Sequence, residues 1–170
     1  MDRSWKHGSR KAYVCPYTII EDLSYDQGMC KNLVEKGNLQ KPLVIFNRTQ
    51  KRAEDVNVEL GAGKSLVASS LEEAVTKADI VFTCLGDDAA IKDTIVEAVK
   101  KDVSGKLFVD CSTVHPDTTT MLAKTVQEKG ATFVASPVFG APAMAEGGQL
   151  VFVLGNHIDC MNKSRPLAKI

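Results

Sequence analysis

From Pro42 onward, short β-branched apolar runs alternate with stretches of helical period, the pattern that a parallel sheet with crossover helices requires. Residues 43–46, 80–84, 107–109, 132–134 and 150–154 are continuous apolar runs, as expected of strands covered on both faces, and a weaker strand is expected at 66–68. Helical patterns fall at 29–35, 50–60, 71–77, 89–101 and 118–129. Ser70 with Glu73 reads as a capping box, and Gly37, Gly61, Gly105 and Gly130 stand where helices should stop. Ile91, Ile95, Val96 and Val99 are expected to share one apolar, core-facing stripe. The expected fold is α/β, a doubly wound, mainly parallel sheet whose ligand crevice lies beyond the carboxyl ends of the strands. A reduced first strand is expected at about 17–20, with Pro16 at its entrance. Residues 1–16 are polar, basic and without period, which predicts a disordered leader ahead of one domain over 17–170.

The bulk composition narrows the partners. Lys plus Arg and Asp plus Glu balance at 21 each, so no net field draws the chain to nucleic acid or to an anionic membrane, and a small ligand is the natural partner. Cys15, Cys30, Cys84, Cys111 and Cys160 are scattered, odd in number and never form a C-x-x-C pair, which signals neither a disulfide framework nor a metal site. With no secretory start and no apolar run near the roughly 20 residues that span a bilayer, the expected location is cytoplasmic.

Function should lie in the segments that follow strands. Phe46-Asn47-Arg48-Thr49 ends a strand and opens a helix, where such folds carry an acidic residue for the ribose of NAD or an arginine for the 2′-phosphate of NADP. Arg48 fits the phosphate role, with Lys51 and Arg52 adding charge; the alternative is a solvated arginine at a helix start. After the next strand come Leu85, Gly86, Asp87 and Asp88. The glycine permits close backbone approach to a ligand, and the aspartates either hold a ribose hydroxyl or, the better reading, cap the helix. Ser112 and Thr113 either bond a ligand or organise their turn, and His115 has no evident partner for base catalysis. Residues 136–148, rich in Gly, Ala and Pro, form either a pocket wall or a long turn.

In order and spacing, Gly28-Met29-Cys30-Lys31-Asn32-Leu33, Asn47-Arg48-Thr49, Asp110-Cys111-Ser112-Thr113 and Pro137-Val138 through Gly148 resemble successive motifs of the β-hydroxyacid dehydrogenases. That family includes 6-phosphogluconate and 3-hydroxyisobutyrate dehydrogenases and glyoxylate reductases. The resemblance implies a Rossmann domain for NAD(P), followed by an all-helical domain that completes the active site and often a dimer. It also implies NADP rather than NAD, with Asn47, Arg48, Thr49, Leu85, Gly86 and Thr113 along the cofactor. Ser112, Gly140 and Ala141 would line a pocket for a small hydroxy acid or its aldehyde or keto form.

The chain also departs from that pattern. The positions of the G-x-G-x-x-G fingerprint fall on Glu21, Leu23 and Asp26, so β-carbons and negative charge stand where backbone should approach a diphosphate. Phe139 occupies the place of a serine that the family uses for the substrate carboxylate. The family's proton-transfer lysine lies on a helix of the second domain, and this chain stops at Ile170, before that helix. The expectation is a cofactor platform without catalytic residues of its own, its helical domain absent, inactive alone and able to form a homodimer only with that domain. The competing expectation is a non-catalytic module for nucleotide binding or protein association.

Overall fold

The computed structural model describes residues 17–21 and 25–155, with side chains from Gln27 onward. The expected leader 1–16, with Cys15, and the residues from 156 on, with Cys160, lie outside the described residues. The elements run β1 (Tyr17–Glu21), α1 (Tyr25–Lys36), β2 (Leu43–Phe46), α2 (Gln50–Leu60), β3 (Ser65–Val67), α3 (Leu71–Lys77), β4 (Ile80–Cys84), α4 (Asp88–Ala98), β5 (Leu107–Asp110), α5 (Pro116–Glu128), β6 (Thr132–Ala135), β7 (Val138–Phe139), α6 (Pro142–Glu146) and β8 (Val151–Phe152). The first six strands form one parallel sheet in the order β3-β2-β1-β4-β5-β6, the doubly wound Rossmann arrangement.

Among the inner strands, β2, β4 and β5 feed both layers by alternation. On β4, Ile80 and Phe82 pack with Met29, Leu33 and Val56 of α1 and α2, whereas Val81 packs with Val75, Ile91 and Ile95 of α3 and α4. On β5, Val109 joins the first layer and Phe108 the second, beside Leu122 and Val126 of α5. Complete burial of side chains such as Phe108, Ile91 and Leu122 stabilises the domain by about 1.5–3 kcal/mol each.

Helix starts carry the expected chemistry. Ser70 Oγ accepts from the Glu73 amide at 3.1 Å, while the Glu73 carboxylate takes the amide and hydroxyl of Ser69 at 2.8 and 2.6 Å, so the reciprocal half of the box falls one residue early. His115 Nδ1 accepts from the Asp117 amide at 3.2 Å and Pro116 occupies the first turn, which starts α5 ahead of the expected 118.

Two expectations are corrected. Val96 is 48% exposed while Ile91, Ile95 and Val99 are buried, because a residue one step past Ile95 turns about 100° off the stripe. The run 150–154 is no further doubly covered strand: only Val151–Phe152 is strand, paired antiparallel with β7. Leu150, Phe152 and Leu154 pack inward and Val151 and Val153 face out, the period of a hairpin with one covered face. An apolar run does not distinguish these cases. The helix α6 at the hairpin tip was not anticipated.

At the carboxyl ends of β4 and β5 the polar groups satisfy one another. Asp110, 1% exposed, accepts on one carboxylate oxygen from the Thr83 hydroxyl at 2.9 Å and the Ser112 amide at 3.1 Å. Ser112 Oγ accepts from the Leu85 amide at 2.9 Å, which ties the two strand ends together. Burial raises the Asp110 pKa above its usual 3.8, against the hydrogen bonds from Ser112 and Thr83 that lower it. The protonated form therefore adds stability that is complete below 3.8 and lost as pH rises through the folded value. Asp110→Asn, which keeps an acceptor and loses the charge, is expected to match or exceed the wild-type melting temperature at pH 7, with the gap closing towards pH 4. Asp110→Ala, which strands two donors, is expected to lose about 1–3 kcal/mol in urea unfolding.

Candidate crevice at the carboxyl edge of the sheet

The strand order reverses between β1 and β4, which opens a crevice beyond their carboxyl ends. Registers pairing Ile20 with Phe46, Glu21 with Cys84, Thr83 with Asp110 and Asp110 with Ala135 set those ends side by side. Asn47, Arg48, Thr49, Leu85, Gly86, Ser112 and Thr113 follow directly on these ends, so the sheet gathers every cofactor candidate along one edge. Because β1 separates β2 from β4, Arg48 and the Leu85–Thr113 group stand on opposite sides of the β1 end.

At the β2 corner, Asn47 is buried and its Oδ1 accepts from the Thr49 amide at 2.7 Å, an Asx turn that folds the corner and leaves Arg48 exposed. Asn47 thus shapes the corner rather than its surface. Lys51, expected to add charge beside Arg48, is hydrogen-bonded and ion-paired to Asp55, which raises its pKa.

At the β4 and β5 ends, the aspartates prove to be structural. Asp87 caps α4 by accepting from the Ala90 amide at 2.7 Å. Asp88 accepts from the Thr118 hydroxyl and from the His115 amide at 3.1 Å, so it joins the starts of α4 and α5, and these bonds hold its carboxyl below the ordinary range. Ser112 is 5% exposed and engaged with Leu85 and Asp110, whereas Thr113 beside it is exposed. His115 serves as a helix cap.

The hairpin beyond β6 brings in the remaining candidates. The Val138 amide donates to the Cys111 carbonyl at 3.4 Å, which ties β7 to the end of β5. Gly140 and Ala141 follow, both exposed, with Gly140 at φ +151°. Phe139, where the resemblance expects a serine, is 58% exposed. Ser136 Oγ is buried with no hydrogen-bond partner among the described residues. A hollow of about 260 Å³ lined by Val34, Leu39, Pro42 and Lys64 lies at the opposite, amino-terminal edge of β2 and β3.

Sequence reading missed the inward roles of Asp110, Asp88 and Asn32. A polar residue at the end of a doubly covered strand was the available signal for Asp110. For Asn32 it was a place four residues after Gly28, on the same helix face.

The residues present fit the two ends of a dinucleotide: Arg48 at one and the Leu85–Gly86 and Ser112–Thr113 turns at the other. The turn between β1 and α1, which would face its middle, carries no glycine. β1 ends at Glu21, α1 begins at Tyr25, and no glycine stands between Tyr17 and Gln27. Leu23 lies outside the described residues, as do the side chains of Glu21 and Asp26. At Gly28 a Cβ would meet α6, so that glycine serves helix packing. Among the described residues no helix is long and apolar enough to cross a membrane.

Comparison with known proteins agrees with this geometry. The NADH-dependent oxidoreductase ucdB of Aspergillus ustus is 38% identical over 138 residues, 81% of this chain and 48% of that protein. The human cytokine-like nuclear factor N-PAC is 30% identical over 149 residues, 84% of this chain and 26% of that protein. The chain thus spans half or less of the length of these relatives. The structure of Mycobacterium tuberculosis 3-hydroxyisobutyrate dehydrogenase superposes with a TM-score of 0.82 at 21% identity, over 92% of this chain and 51% of that one. The model of the NAD binding domain of 6-phosphogluconate dehydrogenase matches residues 27–169. The chain therefore belongs to the 6-phosphogluconate dehydrogenase family, as an NAD(P)-binding domain of the β-hydroxyacid dehydrogenases.

Proposed function

We propose that residues 17–170 are the NADP-binding domain of a cytoplasmic oxidoreductase acting on a small hydroxy acid or its aldehyde or keto form. The exposed Arg48 at the β2 corner carries the cofactor choice. A guanidinium there offers a 2′-phosphate a planar, paired set of donors, where NAD readers carry a carboxylate. The Aspergillus ustus relative is named for NADH, so the choice of NADP rests on Arg48 alone. Asn47 and Thr49 hold the corner, Leu85, Gly86 and Thr113 run along the nicotinamide half, and Ser112, Gly140 and Ala141 bound the substrate. When bound, the cofactor supplies the hydride. A homodimer would form through a further helical domain.

The 170-residue chain is proposed to be inactive alone. The acids and the histidine around the crevice are already committed: Asp110 to Thr83 and Ser112, Asp87 and His115 to helix caps, Asp88 to α5. Among the described residues these bonds give the four groups structural work, and the reading assigns proton transfer to none of them. The second reading, a non-catalytic nucleotide-binding or association module, is favoured by the turn holding Glu21, Leu23 and Asp26. It is also favoured by the likeness to a protein named as a nuclear factor.

Titration followed by cofactor fluorescence separates these readings. Arg48→Asp is expected to weaken NADPH by roughly 10- to 100-fold, the loss of a charge-assisted pair, and to spare NADH. Equal loss for both would remove Arg48 from phosphate recognition. Glycine at positions 21, 23 and 26 together should tighten NADPH, and failure to do so would break the assigned register.

Turnover is a separate expectation. Without a positioned proton-transfer group the rate falls by about 10² to 10⁴, so the purified chain with NADPH and glyoxylate should show no absorbance decay at 340 nm above background. Brisk NADPH oxidation would require a donor among the committed groups and would overturn the inactive reading.

A further inference from the structure

α6 belongs to the hairpin after β6, at the sheet edge, yet it packs against α1, which follows the central strand β1. Gly28 stands at the crossing. A Cβ there would lie 2.4 Å from the Ala145 carbonyl carbon and 2.6 Å from the Glu146 amide nitrogen, so the two helices meet backbone to backbone. One turn later Asn32, 3% exposed, donates through Nδ2 to the carbonyls of Gly28 at 2.8 Å, Ala145 at 2.7 Å and Glu146 at 3.3 Å. Ala145 and Glu146 end a five-residue helix, and the Ala145 carbonyl takes the Gly148 amide at 3.1 Å beside the Asn32 side chain. Gly148, at φ +65°, leaves the space that Asn32 needs, since a Cβ there would stand 2.4 Å from Asn32 Oδ1. A primary amide can donate to these carbonyls across the two helices, whereas a carboxylate would repel them.

α6 starts at Pro142, directly after Gly140 and Ala141, so whatever fixes α6 fixes that segment. We propose that Asn32 is a positioning residue: by docking α6 on α1 it holds the Gly140–Ala141 wall of the substrate pocket over the cofactor crevice. The inference rests on the hydroxy-acid reading above. It makes the helix after β1, and not only the hairpin itself, a determinant of substrate affinity.

The test uses the 170-residue chain with Asn32→Asp and Asn32→Ala. Amides of Gly147, Gly148 and Gln149, which donate to carbonyls of α6, should exchange hydrogen at least tenfold faster in both variants. Amides of Cys111 and Ser136, bonded across the sheet, should keep wild-type rates. In calorimetry on the NADPH-loaded chain, 3-hydroxypropionate should bind at least fivefold more weakly in the variants, with NADPH affinity within twofold. Unchanged exchange at 147–149 overturns the docking. Faster exchange throughout the sheet, with NADPH and acid lost in parallel, shows that Asn32 only supports the fold and also overturns the proposal. Should the wild type bind NADPH but no hydroxy acid, the functional reading falls and takes the proposal with it. Should wild type and variants bind the acid equally, the proposal alone falls.

Discussion

A strand covered on both faces has no wet side on which to leave a polar group, and that constraint organises this domain. β4 and β5 lie inside the sheet with every residue buried, so the polar groups where they end must satisfy one another. Asp110 does this by drawing in the Thr83 hydroxyl and the Ser112 amide, and Ser112 in turn holds the Leu85 amide. The result is a pair of strand ends with fixed geometry, from which Gly86 and Thr113 emerge into the exposed rim. Asp88 repeats the device one layer out by joining the starts of α4 and α5. The rim rests on these bonds, with Ser136 Oγ buried and unpartnered among the described residues, and the acidic residues that look available for chemistry are the ones that hold it together.

The second constraint is backbone contact between helices. Glycine inside a helix costs about 1 kcal/mol relative to alanine, so Gly28 in mid-α1 needs a reason, and the approach of Ala145 provides it. This contact lets a hairpin launched from the sheet edge reach back to the helix that follows the central strand. Parallel topology alone would leave them separated by β4 and β5.

The sheet was legible in the sequence because its signals are local. Continuous apolar runs mark β2, β4, β5 and β6, and the Ser70–Glu73 pair and Asp87 mark helix starts by hydrogen bonds that span only a few residues. What escaped depends on distant partners. Asn32 bonds to carbonyls more than a hundred residues away, and nothing near it in the chain announces them. The run 150–154 kept its hydrophobicity but not its expected place, since Val151 and Val153 look outward from a hairpin that has only one face covered. At the site, the motif order puts Asn47 and Ser112 directly after strand ends, where their bonds also shape the turns, a role that the residues themselves left open for Ser112.

Fold and ligand chemistry separate along β1. The strand order and register need backbone hydrogen bonds from β1, which Tyr17–Glu21 supplies in pairing with β2 and β4. A diphosphate asks something different of the next few residues, namely amides free to approach it and no negative charge. Glu21 serves the sheet through its backbone, while the sequence puts acidic residues, Glu21 and Asp26, on either side of that turn. A chain can thus retain the whole scaffold, including an arginine poised at one end of the crevice and ordered turns at the other, while the part that grips the middle of the ligand changes. On the proposed reading, selection between cofactors and affinity for any cofactor would reside in different residues, Arg48 for the one and the turn from β1 into α1 for the other.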